Sequence, residues 1–132
     1  MGAAVKLIRD DTLTAGPEGY SFEVNLNWYR SLPISSVDVL KLALDGQATP
    51  LDQVRFEING HQYKLDELPD RFEEFWFVQE SAVLRVLQPG KVAAGEAHRL
   101  DAEMSLRFPY IQIGPDRFLT NITRCTDTQT AK

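Results

Sequence analysis

Apolar and polar residues alternate along much of this chain with a period of two. Tyr20, Phe22, Val24 and Leu26 fall on one side of an extended segment, while Ser21, Glu23 and Asn25 fall on the other. That period marks a strand with one buried face. Residues 37–44 repeat the pattern less cleanly, with Leu40, Leu42 and Leu44 on one face. A helix also fits this run, but β-branched residues at its start and Asp45-Gly46 at its end favour a strand. Residues 54–58 and 61–65 flank Asn59-Gly60, the strongest short-range hairpin signal, because a type I′ turn needs positive φ at both central positions. The two-residue loop sets Ile58 opposite His61, Phe56 opposite Tyr63 and Val54 opposite Leu65. The apolar residues of both strands then share one face.

The longest alternation follows residues 82–87, a short strand, and a loop at 91–95. Leu100, Ala102, Met104, Leu106 and Phe108 point inward; Arg99, Asp101, Glu103, Ser105 and Arg107 point outward. Pro109 is expected to stop this strand or to set it at an edge. Residues 118–122 add a last strand, and 125–132 are expected to fray as a polar tail. Residues 1–18 carry only a faint strand pattern. Turn signals separate seven to nine short strands, and no long helix is evident. The prediction is a single all-β domain over 1–132, an antiparallel β-sandwich.

One connection departs from ordinary turn chemistry. Trp28, Tyr29, Arg30, Ser31, Leu32 and Pro33 lie between two strands, where a simple turn would be small and polar. Aromatics and arginine are enriched where partners dock. Pro33 stiffens the exit by fixing its own φ and biasing Leu32 toward extended backbone. The stretch reads as a rigid presentation loop. Phe72, Phe75, Trp76 and Phe77 form a second aromatic cluster, interleaved with Glu73 and Glu74. For Trp76, core plug and exposed anchor both fit the pattern.

Composition narrows the function classes. The chain has 132 residues, 43% of them hydrophobic, enough for one core without disulfide or metal support. A net charge of −5, with no basic cluster, disfavours nucleic acid. The single cysteine, Cys125, rules out an internal disulfide and suits a reducing compartment. No apolar run reaches the ~20 residues of a membrane span, and no signal peptide is evident. These features predict a soluble, cytoplasmic protein.

Catalytic constellations are sparse. His61 and His98 are the only histidines and sit in no metal-ligand spacing. Cys125 has no base nearby in sequence, and neither a nucleophile elbow nor a glycine-rich phosphate loop occurs. Asp10-Asp11, Asp66-Glu67 and Glu73-Glu74 are sequence neighbours. Neighbours on a strand point to opposite faces, so such pairs do not make facing carboxylates.

The run from Ser21 to Ser35, centred on Tyr29-Arg30-Ser31-Leu32-Pro33, resembles the signature of the β subunit of bacterial C-glycoside deglycosidases. So do Leu44-Asp45-Gly46, Val54 to His61, Leu65-Asp66-Glu67-Leu68, Gly95-Glu96-Ala97-His98 and Arg107-Phe108-Pro109-Tyr110. The similarity spans about 19–110. It implies a small, non-catalytic β-sandwich subunit docked on a larger (β/α)-barrel α subunit. In that family the complex is a lyase that cleaves the carbon–carbon bond of 3-oxo-C-glycosides with aromatic aglycones such as flavonoids. A divalent metal, manganese, and the acid/base residues belong to the barrel; no cofactor is implied for this chain. On that resemblance Trp28 to Pro33, with Trp76, form the partner interface or substrate mouth, and Arg30 either pairs with a partner carboxylate or completes the pocket. Two other readings are a glycoside-binding module stacking sugars on Trp28, Tyr29 and Trp76, and a stand-alone hydrolase using Glu73 or His61.

Overall fold

The computed structural model describes residues 6–26, 31–78, 80–115 and 117–132, without the side chains of 39, 109–114 and 117–119. Among these, eleven strands form: β1 (Thr14–Gly16), β2 (Gly19–Asn25), β3 (Leu32–Pro33), β4 (Val37–Leu44), β5 (Gln47–Ala48), β6 (Val54–Ile58), β7 (His61–Lys64), β8 (Phe75–Trp76), β9 (Ser81–Val86), β10 (Ala97–Gly114) and β11 (Arg117–Thr130). Three short 3-10 turns, Ile34–Ser36, Leu51–Gln53 and Leu65–Asp70, join them.

Two antiparallel sheets make the sandwich. One runs β1-β2-β9-β6-β7, the other β11-β10-β4-β5, and β3 and β8 form a separate two-stranded ribbon. The alternation in the sequence explains the packing. Tyr20, Phe22, Val24, Leu84 and Phe56 from the first sheet meet Leu40, Leu42, Leu44, Leu100, Met104 and Phe108 from the second in one buried cluster. Removing such side chains from water is the main favourable term holding the sheets together, roughly 25 cal/mol per Å² of apolar area.

The hairpin forms as the turn chemistry predicts. Asn59 and Gly60 both adopt positive φ, 53° and 80°, and Ile58 pairs with His61 and Phe56 with Tyr63. At Gly19 (φ 149°) the backbone approaches β9 so closely that an added Cβ would lie 1.9 Å from the Val86 carbonyl oxygen.

Two expectations are corrected. Pro109 does not end its strand: β10 continues to Gly114. The pairing register with β11 is interrupted between Arg107 and Gln112, the stretch that contains this proline, which has no N–H to give to a ladder. Nor does the chain fray after Cys125. The tail extends β11 to Thr130, buries Gln129 and Ala131, and ends with the Lys132 N–H donating to the Leu13 carbonyl. Polarity misleads here because Gln129 serves as a backbone partner. Its Oε1 accepts from the N–H groups of Thr12 and Leu13, each at 2.9 Å, and its Nε2 donates to the Arg9 carbonyl at 2.8 Å. The amide therefore ties the N-terminal segment to β11.

Candidate functional site

The β3–β8 ribbon gathers the two aromatic segments singled out in the sequence. Leu32 pairs with Trp76 and Pro33 with Phe75, and the Ile34 N–H donates to the Glu74 carbonyl at 2.8 Å. Ser31 Oγ accepts from the Val78 N–H at 3.0 Å. The C-terminal flank of the aromatic loop is thus bonded to the 74–78 segment. Trp28, Tyr29 and Arg30 lie outside the described residues.

Strand alternation sorts the ribbon's side chains between two faces. Leu32 and Trp76 point inward and are 2% and 1% exposed. Trp76 packs edge-on against Phe56, and its indole Nε1–H donates to the Glu80 carbonyl at 2.8 Å. Both its apolar body and its polar edge are satisfied inside the chain. Of the two roles open to Trp76, the structure has the core plug, and its ring is not available as a surface stacking platform. Phe75 and Phe77 face outward instead, 41% and 50% exposed, stacked with ring centroids 6.5 Å apart and planes at 28°. Phe72 and Val78 are also exposed.

Beside this ridge sits a polar hub. Glu74 receives the Tyr63 hydroxyl at 2.9 Å and the Asn59 amide at 3.1 Å, and its other close partner is His61 Nδ1. The His61 hydrogen bond is the main cause that holds the Glu74 carboxyl below the usual range. An ionised carboxylate with its lone pairs engaged is a poor proton donor, so Glu74 serves to fasten the hairpin tip to β8. Asn59 reinforces this through a 2.9 Å bond to the Phe75 carbonyl. The Arg71 guanidinium lies 5.2 Å from the Tyr63 ring centroid, in range of a cation–π contact. Tyr63, Arg71, Phe72 and Glu74 border an open cleft of about 410 Å³. Glu73, one of the carboxylates considered for hydrolysis, is exposed and is not the partner of His61.

His98 forms a second cluster. Its Nδ1 meets Asp45 Oδ2 at 2.6 Å and its Nε2 meets Glu96 Oε1 at 3.2 Å. Asp45 Oδ1 also accepts from the Arg99 N–H at 2.9 Å. Flanked by two carboxylates, the imidazole is shifted above its ordinary range, chiefly by the hydrogen bond to Asp45. Both ring nitrogens are engaged with carboxylates of this chain. Among the described residues, no group of three or more His, Cys, Asp or Glu is arranged to hold a metal ion. No described helix is long and apolar enough to cross a membrane.

Fold and surface together define a small antiparallel β-sandwich with an outward aromatic ridge built on a short ribbon. Residues 6–110 match the family model described as C-glycoside deglycosidase β subunit, and the chain belongs to that family. It is 35% identical over 115 residues to a C-glycoside deglycosidase β subunit of Arthrobacter globiformis, covering 87% of each chain. It is 35% identical over 127 residues to one of Microbacterium trichothecenolyticum, covering 96% of this chain and 95% of the relative. A 3'-dehydrocarminate deglycosidase β subunit of a Microbacterium species is 34% identical over 108 residues, covering 82% of this chain and 80% of the relative. The shared designation of these relatives implies an assembly with a second kind of subunit.

Sequence patterns did not single out Phe75 and Phe77 as the outward rings. The available signal was parity: if Leu32 and Trp76 are inward partners, residues one step away from Trp76 must face out.

Proposed function

We propose that this protein is the non-catalytic β subunit of a cytoplasmic C-glycoside deglycosidase, docked on a (β/α)-barrel α subunit. The family match over residues 6–110 carries this reading. The reaction assigned to the complex is lyase cleavage of the carbon–carbon bond between a 3-oxo sugar and an aromatic aglycone, with flavonoid C-glycosides as the leading substrate class. The divalent metal, manganese in this reading, is placed in the barrel and would polarise the 3-oxo group there. This chain's own part is to bind the barrel and cover its active-site mouth. Covering that mouth excludes water and helps to position the aglycone. Trp28 to Pro33 are assigned to that rim, with Arg30 facing a carboxylate of the partner or the substrate. Ser31 and Leu32 support the reading as anchors, since Ser31 is bonded to Val78 just beyond β8 and Leu32 is buried in the core.

The test is reconstitution. The chain and a candidate (β/α)-barrel α subunit, sought first as the product of the adjacent reading frame, are purified separately and assayed, alone and mixed, on a 3-oxo-C-glycoside with release of the free aglycone as readout. Turnover is expected only from the mixture. Full activity of the barrel protein alone, or turnover by this chain alone, would refute the assignment.

A further inference from the structure

The Phe75–Phe77 ridge, with Phe72 and Val78 beside it, is the largest grouping of exposed apolar side chains in one segment among the described residues. These residues project from a braced scaffold. Phe75 belongs to the β3–β8 pairing, its carbonyl accepts from Asn59, the Phe77 carbonyl accepts from the Glu80 N–H at 2.9 Å, and the Val78 N–H is held by Ser31. Backbone already held in place loses little freedom when a partner covers the segment, which raises affinity per unit of area.

Charge identifies the occupant. Between residues 66 and 80 the sequence carries six carboxylates and a single basic residue, Arg71. Arg71 is engaged within the chain, over the Tyr63 ring and 3.5 Å from Glu67. Asp70, Glu73 and Glu80, in the same segment as the rings, are exposed. An acidic rim repels nucleic-acid phosphates and anionic lipid surfaces. It also opposes self-association, because a two-fold contact through this patch would set acidic rim against acidic rim. What fits is a different polypeptide whose contact face is apolar at the centre and ringed by Lys and Arg.

We infer that the Phe72/Phe75/Phe77/Val78 ridge is a docking face for the second subunit, recognised by a basic rim around an apolar patch on that subunit. This inference rests on the heteromer reading above and adds the surface and its chemistry.

The experiment measures binding of the purified barrel subunit by calorimetry and stopped-flow. Wild type is compared with Phe75→Ser/Phe77→Ser and with Glu73→Lys/Glu80→Lys. The rings are about half exposed, so the serine double variant should lose some stability yet remain folded at the assay temperature, as its circular dichroism and melting curve would show. It should bind at least ~30-fold more weakly. The lysine double variant should associate about tenfold more slowly at low salt, with a flatter dependence on ionic strength. If wild type binds the barrel subunit and the serine variant binds within threefold of it, the docking face is wrong while the heteromer reading stands. If wild type does not bind the barrel subunit, both fall. A homodimer of the isolated chain that dissociates only in the serine variant would assign the ridge to self-association and overturn the inference.

Discussion

Trp76 meets Phe56 edge to face, with ring centroids 5.5 Å apart and planes at 74°, at the point where the short β3–β8 ribbon closes onto the larger sheet. This contact makes one face of an otherwise minimal two-residue strand part of the core. It also fixes the neighbouring Phe75 and Phe77 on the outside. Core and surface roles of consecutive aromatics are thus set by a single packing choice.

Truncating Trp76 should therefore be costly. Trp76→Ala removes a fully buried ring and leaves a cavity, for a loss of about 3–5 kcal/mol. Trp76→Phe keeps much of the bulk and loses the bond to the Glu80 carbonyl, about 1 kcal/mol beyond the change in packing. Phe75→Ser, one residue away and half-exposed, should cost clearly less, about 1–2 kcal/mol. Urea unfolding followed by fluorescence and circular dichroism distinguishes the three.

Gln129 is expected to behave as a core residue despite its place near the C-terminus. Gln129→Ala would leave the N–H groups of Thr12 and Leu13 without their acceptor, costing about 2–3 kcal/mol. Hydrogen exchange should then accelerate at those two amides first. Unchanged protection there would show that the N-terminal segment is held by other contacts.

Gly19 admits no side chain. Its positive φ and the 1.9 Å approach of a built Cβ to Val86 O mean that Gly19→Ala must push β2 from β9. Backbone cannot yield as a flexible side chain does, so a loss of about 3 kcal/mol is expected. The measurement is the denaturation midpoint, with low soluble yield as the extreme outcome.

The His98 cluster gives stability a pH signature. His98 titrates above its unfolded value, chiefly through Asp45, so its contribution is fully present below the unfolded pKa of about 6.5 and is lost as pH rises through the folded value. Asp45 and Glu96 are shifted down, chiefly by the backbone N–H groups of Arg99 and Ala93, with His98 as a further cause. Their contributions are present above the unfolded carboxylate range and are lost as pH falls through the folded values. The cluster therefore stabilises most between about pH 4.5 and 6.5. His98→Gln should lower the melting temperature by ~3 °C at pH 6 and by less at pH 9. Equal losses at both pH values would mean that the imidazole acts through packing alone.

Much of the architecture was legible in the chain itself. Period-two alternation identified the inward faces of β2, β4, β6 and β10, because burial on one side of a pleated strand leaves that imprint on the sequence. Asn59-Gly60 fixed its hairpin because few other residues accept positive φ in succession. The tail and the ribbon were not legible. Gln129 looks like a solvated residue until the N-terminal segment arrives with two N–H groups to be satisfied, a pairing separated by more than a hundred positions. Phe75, Trp76 and Phe77 are equally hydrophobic in a linear reading. Only when Leu32 supplies the opposite strand does one of the two parities become the interior. Local pattern states that a face will be buried; long-range contacts decide which residues form it.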